Sequence, residues 1–191
     1  MKFVPLEIPD VVLIEPRIFE DGRGFFFEVY RQDKFEDAGL PGTFVQDNQS
    51  FSKHGVVRGL HAQLTQPQGK LIRTLQGEIF DVAVDVRPDS PTFGKWVSAV
   101  LSGENNHQLW VPPGFVHGFC VTSEFATVQY KCTDLYAPSD EIGVRWDDPE
   151  IGISWPVANP VLNAKDRAWP TLAEILPQIL QQSPGHGKKD S

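Results

Sequence analysis

A histidine, a lysine and a tyrosine, each on a stretch that alternates like a β-strand, have the chemistry for moving a proton next to a carbonyl group. In GVVRGLHAQLTQPQGK, residues 55–70, strict alternation puts Val57, Gly59, His61 and Gln63 on one face and Val56, Arg58, Leu60 and Ala62 on the other. His61 and Arg58 should therefore point to opposite sides. A second strand over 70–75 puts the ammonium of Lys70 on a face with Ile72 and Thr74. As neighbours in a closed sheet, the two strands would set a base beside a fixed cation. Histidine titrates near neutrality and suits a general base, and a lysine can hold the negative charge of an enolate. Tyr130 shares a face with Val128 and Cys132, so its phenol should enter the same interior, where it could deliver a proton. The imidazole needs a carboxylate to fix its tautomer. Asp166, in LNAKDRAWP, and Asp81, in a core-like strand, both qualify, and sequence alone does not choose between them.

The elements that must hold these residues read as strands. Sixteen Gly, sixteen Pro and thirteen Phe in 191 residues describe a loop-rich β protein long enough to bury a core. Alternation and turn residues predict strands over 11–19, 43–52, 56–63, 70–75, 78–86, 96–101, 107–111, 117–121, 126–132 and 143–146, with helices over 31–40 and 171–178. That spacing favours a sandwich or jelly-roll barrel over strand-helix-strand units. In the strand over 78–86, Phe80, Val82, Val84 and Val86 form an apolar face, and Ile79, Asp81, Ala83 and Asp85 a mixed one. An acid on such a face is either paired or functional. Residues 1–180 are expected to form a single domain, and residues 181–191, QSPGHGKKDS with a preceding Gln, have the composition of a disordered tail.

A net charge of −8 argues against a nucleic-acid surface. No apolar run approaches bilayer length, so no membrane role is expected, and the protein should be cytoplasmic. Cys120 and Cys132 fit no metal spacing and are expected to be free core thiols. Pro112-Pro113-Gly114-Phe115-Val116-His117 has the spacing of a second cupin motif, in which the histidine commonly binds a metal. The first cupin motif wants H-x-H, however, and this chain has His61-Ala62-Gln63. No catalytic metal is expected, and His117 is read as a pocket residue. Arg23 and Arg58 suit a diphosphate, because a planar guanidinium can hold two anionic oxygens. Glu28, Gln46 and Asn48 could read a base edge. Taken singly, each of these residues has a plainer role as an ion-pair partner or strand-edge polar group.

Together, DGRGFFFE (21–28), FVQDNQS (44–50), VVRGLHAQ (56–63), QGKLIR (68–73), GEIFDVAVDVR (77–87), VPPGFVHGF (111–119), YKCTDLY (130–136) and NAKD (163–166) resemble the dTDP-4-dehydrorhamnose 3,5-epimerase family. The resemblance implies a mainly β, cupin-type jelly roll, a homodimer with sites shared across its interface, and no cofactor. It implies epimerisation at C3 and C5 of a dTDP-4-keto-6-deoxyhexose. By position, His61 matches the proton acceptor, Asp166 its orienting carboxylate, Tyr130 the proton donor and Lys70 the group beside the C4 oxygen. His117 matches a sugar-pocket residue; Arg23, Glu28, Gln46, Asn48 and Arg58 match nucleotide-binding positions, some offered by the partner subunit; Glu141 and Lys165 match further ligand contacts. One departure stands out: the family usually has an aromatic residue after the histidine, and this chain has Ala62. Parity puts Ala62 opposite His61, so altered packing is expected there rather than lost chemistry. The alternatives are an enzyme acting at one carbon, a metal-dependent cupin, and a non-catalytic nucleotide-sugar binder.

Overall fold

The computed structural model describes residues 1–182. The chain runs β1 (Lys2–Pro5), β2 (Val12–Glu15), β3 (Phe19–Asp21), β4 (Gly24–Phe26), α1 (Gln32–Asp37), β5 (Gln46–Lys53), β6 (Val57–Gln63), β7 (Lys70–Gln76) and β8 (Glu78–Asp85). It continues through β9 (Trp96–Ser102), β10 (Gln108–Val111), β11 (Phe115–Val121), β12 (Phe125–Cys132), β13 (Glu141–Gly143), α2 (Ala164–Arg167) and α3 (Leu172–Gln182). One antiparallel sheet has the order β1-β2-β10-β7-β12-β5 and the other β13-β6-β11-β8-β9; β3 and β4 form a separate hairpin. From β5 to β13 the chain changes sheet at nearly every connection, which is the jelly-roll arrangement the sequence predicts.

Alternation decides which side chains meet between the sheets. Ile72, Val128 and Ala126 from the six-stranded sheet pack on Ile79, Ala83, Phe115, Phe119 and Val121 from the other. The opposite face of β8, carrying Val82 and Val84, is buried with Leu60 and Val116 under Leu172, Ile175 and Ile179 of α3. The five-stranded sheet is thus covered on both sides, and the strand that bears His61 is held from above and below. The helix runs past its expected end at 178 even though Pro177 lies inside it. Its buried stripe offsets the backbone bond that proline removes.

Several boundaries differ from the expectation. β1 is an addition, the strand over 11–19 divides into β2 and β3, and the strand over 143–146 gives way to β13, which ends at Gly143. There Asp148 draws the chain into a turn by accepting from the backbone N–H groups of Glu150, Ile151 and Leu172. Of the expected tail, residues 181 and 182 belong to the last turn of α3, and residues 183–191 lie outside the described residues. Cys120 and Cys132 are free and buried, as expected.

The departure with the largest consequence is in β6. Arg58 pairs with Phe119 and His61 with His117, so three steps along β6 answer two along β11. This bulge resets the alternation, and Arg58 and His61 lie on the same face rather than on opposite ones. Gly59 makes it possible: its φ is 125°, and a Cβ there would stand 2.5 Å from the Cα of Gly118.

Of the two acids on the mixed face of β8, Asp85 is structural. Its fully buried carboxylate accepts from Arg87 Nε at 2.9 Å, Ser90 Oγ at 2.5 Å and Thr92 Oγ1 at 2.6 Å, pinning the loop that follows. Burial pushes this carboxyl up, but the bonds from Arg87, Ser90 and Thr92 outweigh it and leave the group below its ordinary value. Breaking a dry ion pair costs about 3–5 kcal/mol, so with Arg87 one-third exposed Asp85→Asn is expected to lose about 3 kcal/mol at neutral pH. A depressed carboxyl contributes stability above its unfolded value, and that stability is lost as pH falls through the folded value. The difference between wild type and variant should therefore shrink in acid, as urea titrations at pH 7 and pH 3 would measure.

Candidate active site

Two histidines face each other across β6 and β11, and each has its own carboxylate. His61 Nε2 lies 2.8 Å from Asp166 Oδ1, and His117 Nε2 lies 2.9 and 3.0 Å from the two oxygens of Asp81. Sequence left Asp166 and Asp81 open as partners for His61; the fold assigns Asp166. Asp166 comes from α2, where Asn163 caps the turn by accepting from the Asp166 N–H at 2.6 Å. Burial pushes the Asp166 carboxyl up, yet the hydrogen bond and charge of His61, with the N–H of Gly59, bring it below the ordinary range. An ionised Asp166 has no proton to give, so His61 donates through Nε2–H and its Nδ1 is left to accept a proton. The His61 side chain is 32 % exposed and Asp166 only 3 %, so the base reaches solvent while its partner does not. His117 is buried and bonded to Asp81, whose carboxyl burial lifts. It is the register partner of His61 on β11 and is not among the residues that wall the cleft.

That cleft has a volume of about 290 Å³. His61, Lys70 and Tyr130 all line it, as the alternation of β6, β7 and β12 predicts. Register explains the convergence: Cys132 pairs with Lys70 and Tyr130 with Ile72, so β7 and β12 present Lys70 and Tyr130 on one face. Burial pushes the Lys70 ammonium down, with Cys132 and Glu141 opposing. Among the described residues no hydrogen bond or ion pair ties that ammonium down, so it is free to meet an anionic oxygen. Burial pushes the Tyr130 phenol up, and the nearby Arg58 only partly reverses this. The site therefore holds an imidazole paired with a carboxylate, a buried lysine amine and a phenol that keeps its proton at neutral pH.

The other predicted residues divide between this cleft and the surface. Gln46 and Asn48 line it, bonded to each other at 3.0 Å, with Asn48 Nδ2 3.6 Å from Cys132 Sγ. Arg58 bonds Ser52 Oγ at 2.9 Å beside Tyr130. Glu141 lines the mouth, accepting from Tyr136 Oη at 2.7 Å and from the Lys165 ammonium. Arg23 and Glu28 are not brought there by this chain. Arg23 sits on the β3–β4 turn with its side chain 90 % exposed, paired with Asp21, and Glu28 is paired with Lys34 at 2.7 Å.

Three cleft residues were missed by the sequence reading: Gln63, Gln68 and Tyr136. Gln63 binds the carbonyl of Leu135 and the N–H of Ala137, and Gln68 the carbonyl of Asp134, so both glutamines hold the loop that carries Tyr136 over the opening. The one available signal was the parity that put Gln63 with His61. A larger cavity, about 600 Å³, lies across β6, walled by Ala62, Ile142, Val86 and Ile179. Ala62 packs on the helix side of the sheet, as its parity predicts, and this second space is lined by Asp10, Arg87 and Asp89 but by no described histidine, lysine or tyrosine. Among the described residues no group of three or more His, Cys, Asp or Glu could hold a metal ion.

Comparison with known proteins agrees with this geometry. The model of the family described as dTDP-4-dehydrorhamnose 3,5-epimerase matches residues 5–174. The dTDP-4-dehydrorhamnose 3,5-epimerase of Pseudomonas aeruginosa is 56 % identical over 176 residues, covering 91 % of this chain and 97 % of that protein. The enzyme of the same name from Salmonella typhimurium is 53 % identical over 179 residues, covering 92 % and 98 %. A crystal structure of dTDP-6-deoxy-D-glucose-3,5-epimerase from Legionella pneumophila, in complex with dTDP-4-keto-L-rhamnose, superposes with a TM-score of 0.90 at 47 % identity, covering 93 % of this chain and 96 % of that one. The sheet order, the cleft and the length of the match lead to one assignment: this chain belongs to the dTDP-4-dehydrorhamnose 3,5-epimerase family.

Proposed function

We propose that this protein converts dTDP-4-dehydro-6-deoxy-D-glucose to dTDP-4-dehydro-L-rhamnose, inverting C3 and C5, and that His61, Lys70 and Tyr130 carry the reaction. The observation that supports it most directly is the meeting of a carboxylate-bound imidazole, a lysine without an ion pair among the described residues and a protonated phenol in one small cleft. The C4 ketone of the substrate acidifies the hydrogens on both flanking carbons. His61 Nδ1 removes one of them, and Asp166 stabilises the imidazolium that forms. The electron pair moves to the C4 oxygen, where Lys70 holds the enolate. Tyr130 then protonates the carbon from the far face of the ring, which inverts it, and solvent exchange restores both side chains. Repetition at the second carbon completes the reaction, and no electron leaves the sugar.

Gln46, Asn48, Arg58, Glu141 and Lys165 extend the site toward the nucleotide, and His117 backs the sugar pocket. Residues 1–180 act as one domain in this reading. A homodimer completes it: Arg23 and Glu28 reach the nucleotide of a second copy, carried by a hairpin whose Phe25 and Phe26 are exposed here. Sedimentation at assay concentration separates this arrangement from a self-sufficient single chain. We place the reaction in the cytoplasm, in keeping with the free thiols of Cys120 and Cys132; no described helix is long and apolar enough to cross a membrane.

The test is incubation with dTDP-4-dehydro-6-deoxy-D-glucose in D₂O, followed by NMR of the sugar. Deuterium at C3 and C5 together with the L-rhamno product is the expected result. Label at one carbon only would make this a single-centre epimerase, and none at either, with dTDP still raising Tm, would leave a binder.

A further inference from the structure

Gly143 and Trp169 have no role in the chemistry described so far, yet both touch the base. Gly143 is the β13 residue paired with His61, so the two share a face of the sheet. A methyl group at Gly143 would stand 2.3 Å from Trp169 Cδ2 and 2.4 Å from Cε2. Gly143 is not among the positive-φ glycines, so it is space rather than backbone conformation that asks for glycine here. The indole occupies that space. Its centroid lies 6.3 Å from that of the His61 ring, and Lys165 Nζ stands 5.5 Å from the indole centroid. The buried indole N–H closes no hydrogen bond among the described residues, but it lies near enough to Asp166 to help keep that carboxyl low.

The Asp166 turn needs such a support. α2 is only four residues long, and a single helical turn has no stability of its own. The Asn163 cap holds its start, and Trp169, three residues after Asp166, stands just past its end. We infer that Gly143 and Trp169 are positioning residues: the bare face of Gly143 seats the indole, and the indole holds the α2 turn so that Asp166 meets His61. The inference rests on the role given to His61 in the proposed epimerisation.

Proton NMR of the intact protein tests it, because a histidine N–H bonded to a carboxylate resonates far downfield. Two such signals are expected, from His61 and His117, and His61→Asn identifies the first. In Gly143→Ala and in Trp169→Ala, the His61 signal should broaden or vanish while the His117 signal persists as a control for the fold. Deuterium wash-in should fall about 10- to 100-fold, as misplacement of a catalytic group by up to about 1 Å costs, with dTDP protection against heat unchanged. The double variant should be no worse than Trp169→Ala alone, since Gly143 acts only through the indole. A His61 signal intact in both single variants, loss of both signals, or additive rate losses would overturn the inference. If the wild type shows both signals and the variants respond as expected but no protein exchanges hydrogen, the epimerase reading fails and the positioning role stands.

Discussion

His61→Asn is expected to lower the rate of epimerisation by about 10² to 10⁴, the usual contribution of a positioned general base. Asparagine ends short of the place where Nε2 meets Asp166, so the substitution removes the base together with its bond to that carboxylate. The amide cannot take up a proton. Because abstraction precedes every later step, deuterium wash-in at C3 and at C5 should fall together with product formation. Binding of dTDP should survive, since the nucleotide half of the site does not depend on the imidazole. Wash-in at near wild-type rate in a folded His61→Asn protein would remove His61 from the mechanism and leave the cleft without an oriented base.

Tyr130→Phe divides the reaction at a different place. The substitution leaves a ring of the same shape on the inner face of β12 and deletes only the proton donor. Abstraction by His61 and return of a solvent-derived proton to the same face would continue, so deuterium still enters the sugar. Inversion, which needs delivery from the far face, should fall by about 10² to 10⁴. The two rates, read from one NMR time course, are therefore expected to separate. Equal losses in both would mean that the phenol also takes part in abstraction. The pH dependence gives a second reading. Burial raises the phenol above its ordinary value near 10, so it stays protonated through neutrality and loses its proton only in strong alkali. Inversion by the wild type should decline there, and the residual inversion of Tyr130→Phe should lack that decline.

Both predictions depend on features with different origins. That His61, Lys70 and Tyr130 face the interior was legible from alternation within β6, β7 and β12, because the side to which a strand residue points follows from its own backbone. The same rule failed for Arg58. The bulge at Gly59 depends on how closely β11 approaches, and Gly118 lies more than fifty residues further along the chain. Glu28 and Arg23 illustrate another limit, for their motif was readable but their distance from this chain's own cleft was not.

By itself the sequence determined the strand pattern, the inward direction of the base, cation and phenol, and the family likeness, all of which live in short stretches where each residue constrains only its neighbours. Tertiary structure alone decided that Asp166 and not Asp81 serves His61, that Tyr136 closes over the cleft, and that Trp169 rests on Gly143. Those pairings join residues from separate strands and loops, and in this chain they follow from the order in which the sheets stack. Alternation tells a side chain which way to point, and only the packed sheets determine what it meets there.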